Sequence, residues 1–418
     1  MTRLPKKTPT KYFFFSLIVT ILFFALLEGF LRLIGYQPKL RFHAFELPSW
    51  FTGLDPVVLE SYKEHLLSQG FVNEDVYAYR PDPELGYLLK PNIRLTVRNY
   101  SSALLVDKMP PWTLVSGPEG FRMSGKTSPD PPAGGKSYRT LHVLGDSSSF
   151  GWGVEYRETY GYVLRETLNR ALPKDSRFFR LENHSMPGFT SFQGRRLLGR
   201  LHNVGPGDWV LVSFGWNDSY PSRDSDRVRF EKSHSPMGRL HWRLSHFLVF
   251  RAMESFWIGL GDGGNAGSSP AGTRVDLKEY RENLDAIFAA VKERGARPVF
   301  ISVCNFYEFP KAARSAARAS GTPFIDIPRQ LKPYLSTVAD RFPEKFVAYF
   351  DSYGDLMEKN ESLVFLFPDN CHPNAIGHHL MGEVLFEVLR KEMGLGLKVP
   401  GIPEGAGLGN GHSFDAGK

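Results

Sequence analysis

The stretch Gly145-Asp146-Ser147-Ser148-Ser149-Phe150-Gly151-Trp152-Gly153-Val154 begins where the short apolar run Leu141-His142-Val143-Leu144 stops. A buried strand that ends in a turn of small residues lifts a hydroxyl above the carboxyl edge of a sheet, where open α/β folds carry their chemistry. Outward from this junction, strand and helix alternate. Thr159, Tyr160, Val163, Leu164, Leu168 and Leu172 recur at helical spacing, Phe178 to Glu182 reads as a strand, and a further helix is expected after Gly188. Asp208 to Phe214, with Trp209-Val210-Leu211-Val212 at its centre, has the unbroken apolar character of a strand covered on both faces and ends at Gly215.

Tyr220 to Arg274 interrupts this alternation with a charged stretch, an aromatic-rich helix candidate from His241 to Leu260, and a Gly/Ser/Pro loop from Gly261 to Gly272. It reads either as a lid or membrane-facing flap or, more simply, as a surface helix packed on the sheet. Regular structure then resumes. Asp276 and Glu279 have capping-box spacing, Tyr280, Leu284, Ile287 and Val291 make one helical face, and Gly295 closes that helix. Val299 to Val303 and Phe324 to Ile327 read as the next strands, and a last helix after Pro373 turns Ile376, Leu380, Val384 and Val388 inward. Eight glycines from Gly394 onward predict a disordered tail.

Upstream, Arg3, Lys6, Lys7 and Lys11 precede Tyr12 to Leu27, sixteen residues without a charge, and apolar character continues to Ile34 around Glu28 and Arg32. That length crosses a bilayer, and Glu28 and Arg32, four apart, can pair on one helical face. A cleaved signal peptide is the rival reading, but no A-x-A-like site or lipobox cysteine follows. The basic side of such an anchor stays in the cytoplasm, which places the remainder outside it. Between Gln37 and Tyr138 the chain is proline-rich, with one clear strand in which Ile93, Leu95 and Val97 alternate with Arg94, Thr96 and Arg98. Ala103 to Val106 and Trp112 to Val115 add short apolar runs, and Pro129 to Gly135 reads as a linker. The expected organisation is an anchor over 1–36, a β-rich segment over 37–138, a main α/β domain over 139–393 with 220–274 inserted, and a tail over 394–418.

The 418 residues, 42% hydrophobic and 23% charged, can bury a large core, and the net charge of +7 is not gathered into the Lys/Arg runs of a nucleic-acid binder. Neither a C-x-x-C pair nor H-E-x-x-H occurs, so no metal motif is legible, and His378-His379 reads as flanking a helix. Gly120 to Thr127 matches the Walker A pattern, but Pro129, Pro131 and Pro132 forbid the helix that pattern needs. Gly259, Gly261 and Gly264 match G-x-G-x-x-G only through the composition of their loop. No cofactor is expected.

Four motifs fall at strand ends or before the last helix: Gly145-Asp146-Ser147, Asn183 with Gly188, Gly215-Trp216-Asn217-Asp218, and Asp369-Asn370-Cys371-His372. In this order they resemble the SGNH (GDSL-type) hydrolases, over about Arg139 to Met393. The resemblance implies a three-layer α/β/α, flavodoxin-like parallel sheet. It also implies Ser147 as nucleophile, His372 as general base and acid, and Asp369 as its orienting partner. The oxyanion donors it implies are the backbone N–H groups of Ser147 and Gly188 and the side-chain amide of Asn217. The chemistry stands on the residue types as well. A serine hydroxyl becomes nucleophilic when an imidazole takes its proton, and a carboxylate three residues from that histidine can hold the far ring nitrogen.

Ser148 and Ser149 stay open as alternative nucleophiles. Asp146 and Asp218 read as turn caps, Asn183 as a brace for the loop before Gly188, and Trp152 and Trp216 as packing or pocket walls. Cys304 and Cys371 both lie near the sheet's rim and either bridge or remain separate thiols. The expected activity is that of a membrane-anchored extracytoplasmic serine esterase acting on acyl or acetyl esters of an envelope glycan or lipid. O-acyl transfer by the same residues and a noncatalytic glycan-binding scaffold are the alternatives, and the oligomeric state is not legible.

Overall fold

The computed structural model describes residues 9–36, 78–97, 108–125, 138–172, 178–222, 224–261, 272–304 and 308–393. The apolar run at 103–106, the linker at 129–135 and the glycine-rich tail lie outside them. The described residues fall into two compact units.

The larger unit opens with two antiparallel pairs, β1 (Tyr79–Asp82) with β2 (Gly86–Leu89) and β3 (Arg94–Val97) with β4 (Trp112–Val115). Asp82 shapes the first turn by accepting the backbone N–H groups of Glu84 and Leu85 at 3.0 and 2.9 Å. The main sheet follows from β5 (Tyr138–Gly145), β6 (Phe178–Asn183) and β7 (Trp209–Ser213). After a short pair, β8 (Pro221–Ser222) with β9 (Gly272–Thr273), it is completed by β10 (Arg297–Ser302) and β11 (Phe324–Asp326). Its spatial order is β11-β10-β7-β5-β6, parallel throughout. This is the flavodoxin-like order, and its direction reverses between β5 and β7, the place where such sheets bind ligands.

Helix Tyr160–Ala171 packs with Ala375–Glu392, and helices Ser191–Arg200, Leu277–Glu293 and Phe309–Ser320 pack as a second group; the right-handed crossover rule assigns the two groups to opposite faces of a sheet with this strand order. The sequence α/β/α layering is therefore the observed one. All five residues of β7 are buried, as its continuous apolar run predicts. Each such fully covered side chain of Val or Leu size contributes about 1.5–3 kcal/mol. The Asp276 cap is present, its carboxylate accepting Glu279 N at 2.8 Å, and Gly295 takes φ +76° beyond the helix end.

The second unit contains helix Pro9–Leu33 and the helices within 228–269. Tyr12–Leu33 is long and apolar enough to cross a membrane, with a mean hydropathy of 2.4 and none of its apolar window buried. Glu28 and Arg32 pair at 2.8 Å as expected, and the second Glu28 oxygen accepts Val249 N at 3.0 Å. The helix candidate at 241–260 is in fact two helices, Pro236–Leu244 and Leu248–Gly261. The break has a local cause. Ser245 Oγ and the His246 ring both engage the carbonyl of Trp242, at 2.7 and 2.9 Å, and so compete with the backbone bond that would continue the helix. Within this unit Leu248–Gly261 packs against the N-terminal helix.

Candidate active site

Gly145 ends β5 where no larger residue fits, since a Cβ there would lie 2.6 Å from Ser149 Oγ and 2.8 Å from Ser213 O. The chain turns at once into the short helix Ser147–Phe150. Asp146 caps it by accepting Ser148 N at 2.9 Å, the role its position predicts. Gly151 closes it at φ +82°.

Ser147 Oγ lies 2.7 Å from His372 Nε2. His372 Nδ1 lies 2.8 Å from Asp369 Oδ2. A carboxylate only accepts, so Nδ1 carries the proton and Nε2 is left to accept from the serine hydroxyl. Asp369 Oδ1 is held by the backbone N–H groups of Cys371 and His372, both at 2.8 Å, so the turn that supplies the histidine also fixes its carboxylate. Burial alone would lower the His372 pKa. The Asp369 charge and hydrogen bond, with the Asp146 charge behind them, outweigh it and raise the pKa above the ordinary value. Burial also lifts Asp146 to about 6.

Ser148 and Ser149 are occupied elsewhere. Ser148 Oγ is 3.5 Å from Cys371 Sγ, and Ser149 Oγ accepts the Tyr160 hydroxyl at 2.8 Å. It is Ser147 Oγ that meets the imidazole, so the file of hydroxyl, ring and carboxylate runs through Ser147. Cys371 is bonded to Cys304, which stands just past the end of β10, so the bridge reading holds.

Asn217 Nδ2 donates to Phe189 O at 3.1 Å and lies 3.5 Å from Asp146 Oδ2, which ties the amide to the loop of Gly188. Gly188 has φ +78°, and a Cβ there would meet Tyr87 Oη at 2.5 Å. Asn183 braces this region by donating to Ser149 O and accepting Ser185 N, at 3.1 and 3.0 Å. Asp218 receives the N–H and hydroxyl of Ser191 at the start of the following helix, and burial raises its pKa to about 7. Trp152 packs edge-on against Trp112, whereas Trp216 lines a cleft with Asp146, Ser148, Phe214 and Phe309 along the ends of β7 and β10.

A model of the GDSL-like Lipase/Acylhydrolase family matches residues 143–380, more than half of the chain. The chain belongs to this family. It is a serine ester hydrolase on an α/β fold of the SGNH type. Among solved structures it is similar to the psychrotrophic esterase EstA from Pseudoalteromonas sp. (16% identity, 61% of this chain and 99% of that one, TM-score 0.34). It is also similar to a lipase/acylhydrolase from Enterococcus faecalis (15% identity, 62% and 97%, TM-score 0.35). No curated protein matches the chain.

Several side chains that hold the site of this GDSL-like hydrolase left no mark in the sequence. Arg274 donates to Gly188 O at 2.7 Å, to both Asp226 oxygens at 3.1 and 2.8 Å, and to Gln193 Oε1 at 3.2 Å. Tyr87, from the β-rich segment, donates to Pro187 O on the same loop. Arg122 sits inside the Walker-like stretch, yet its guanidinium is buried and donates to Phe150 O and Val154 O at 2.8 and 2.6 Å, gripping the chain just beyond the serine helix. No helix forms over Gly120 to Gly125, and Lys126 and Thr127 lie outside the described residues.

Proposed function

We propose that Ser147, His372 and Asp369 hydrolyse an acyl or acetyl ester of a cell-envelope glycan or lipid through an acyl-enzyme. The observation that carries this reading is the continuous file from Ser147 Oγ to His372 Nε2 and from His372 Nδ1 to Asp369 Oδ2, at 2.7 and 2.8 Å. His372 Nε2 takes the hydroxyl proton as Ser147 Oγ bonds to the ester carbonyl carbon. The carbonyl electrons move to its oxygen, toward which the backbone N–H groups of Ser147 and Gly188 and the Asn217 side-chain amide donate, the amide giving up its long 3.5 Å contact with Asp146 Oδ2 to do so. Collapse expels the alcohol oxygen, and His372 Nε2–H protonates it. Water repeats the sequence on the acyl-serine, releasing the acid and restoring the hydroxyl. Loss of one oxyanion donor costs about 3 kcal/mol of barrier, a hundredfold or more in rate.

The envelope address rests on the apolar helix Tyr12–Leu33, read as an anchor with the hydrolase outside the cytoplasm. A fluorophosphonate probe is expected to label Ser147, and Ser147→Ala to abolish p-nitrophenyl acetate hydrolysis in the folded protein. A label mapped to Ser148 or Ser149, or equal rates in wild type and variant, overturns the assignment. With an acyl donor and a glycan acceptor, transfer outpacing hydrolysis would replace the hydrolase reading by acyl transfer.

A further inference from the structure

Away from the serine site, three side chains bring ligand atoms to one spot. His142 on β5 stands directly opposite Glu182 on β6 in the parallel register, and His184 follows the last residue of β6. His142 Nδ1 is 3.1 Å from His184 Nε2. Glu182 Oε2 is 3.6 Å from the first of these nitrogens and 3.3 Å from the second. A tetrahedral ion with ligand distances of about 2.0–2.1 Å requires its ligand atoms to be roughly 3.3–3.4 Å apart, and the three spacings bracket that value.

The surroundings match as well. The far nitrogen of His142, Nε2, lies 3.6 Å from Asp208 Oδ2, too far for a hydrogen bond but near enough for the carboxylate to favour positive charge at the spot. Both rings are buried, and neither His142 Nε2 nor His184 Nδ1 has a hydrogen-bond partner, so the engaged nitrogen of each ring is the one aimed at the shared spot. Asn203 Nδ2 and Arg180 hold Glu182, at 2.6 Å to Oε2 for the asparagine, and the Glu182 side chain keeps 14% exposure, which leaves an approach from solvent.

We infer that His142, His184 and Glu182 bind one divalent transition-metal ion, zinc by ligand preference, with solvent as the fourth ligand. Two imidazoles and one carboxylate leave such an ion with net positive charge, which Asp208 offsets. The ion would pin β5 to β6 on the strand that leads into Ser147, with His142 five residues before it, and is separate from the ester chemistry. No metal motif marks the site because its ligands come from two neighbouring strands, where spacing along the chain carries no signal.

The test uses the full-length protein in detergent micelles, stripped with a chelator, dialysed against Zn2+ and assayed by elemental mass spectrometry. Co2+ substitution provides a visible-absorption readout of geometry. Wild type should take up one ion per chain, show the tetrahedral Co2+ spectrum and melt at a higher temperature with Zn2+ than without. Glu182→Gln, which preserves shape, and His184→Leu should each weaken uptake at least about tenfold. If His184→Leu does not fold, Glu182→Gln decides alone. Wild type that stays metal-free would leave only a hydrogen-bonded imidazole pair and would overturn the inference. Equal uptake by wild type and Glu182→Gln would do the same, by assigning the ion to other histidines.

Discussion

Removing the Cys304–Cys371 bridge tests how far the catalytic turn depends on a covalent tie to the sheet. The two cysteines are separated by 67 positions, and closing a loop of that length in the unfolded chain is worth about 4 kcal/mol in the chain-entropy account. For a domain of this size each kcal/mol moves the melting temperature by about 2–4 °C, so Cys304→Ala/Cys371→Ala should melt about 8–16 °C lower. Activity should fall as well. Cys371 N donates to Asp369 Oδ1, and His372 is the next residue, so a turn released from β10 loosens both the ring that meets Ser147 and the carboxylate behind it. A misplacement of about 1 Å at a reacting group costs around a hundredfold. The assay pairs thermal unfolding by circular dichroism with p-nitrophenyl acetate turnover, with and without reductant. Reductant should move wild type toward the double variant and leave the double variant unchanged. The reasoning is refuted if both thiols of the native protein alkylate without reductant, or if the double variant keeps the wild-type melting temperature and rate.

Asp369→Asn should lower kcat by about 10⁴-fold and shift the acid limb of kcat/KM to lower pH. His372 is a base only when neutral, and its pKa is raised, so wild-type activity falls as pH drops through a value above the ordinary one. Without the carboxylate, burial dominates and the limb moves down; a limb that stays put contradicts this origin. Gly188→Ala adds a Cβ at φ +78° beside Tyr87 Oη, and should cost at least about 1–2 kcal/mol together with most of the esterase activity. Adding Tyr87→Phe removes the clashing oxygen and should restore part of both, a double-mutant cycle that reads as additive if the two groups do not meet. Arg274→Met leaves the buried Asp226 carboxylate without its half-buried guanidinium partner and frees Gly188 O, with an expected loss of about 3 kcal/mol in denaturant unfolding and a raised barrier for ester hydrolysis.

What could be read from the chain divides along a physical line. That Ser147, Asp369 and His372 could meet was legible because the patterns that bring them forward are local. A small-residue turn must follow a buried strand, and a histidine three residues from an aspartate in a turn can receive its carboxylate whatever surrounds them. The alternation of β5, β6, β7, β10 and β11 with helices was legible for the same reason, since periodicity is a property of neighbours in sequence. Arg122, Arg274 and Tyr87 escaped notice because a charged or phenolic side chain reveals its burial only through the carbonyls it meets across the fold. The break within 241–260 escaped because apolar spacing does not report that Ser245 and His246 turn on the carbonyl of Trp242. The two arginines share one further feature. Arg122 grips the exit of the serine helix and Arg274 grips the carbonyl of Gly188, so each donates to backbone next to a proposed oxyanion donor without being a partner of Ser147 itself. Hydrolysis by this file needs donors fixed before the negative charge appears, because reorganising them in the transition state would cost what they are there to supply. The buried guanidinium of Arg122, on Phe150 O and Val154 O, and the half-buried one of Arg274, on Gly188 O, are placed to hold that backbone in advance.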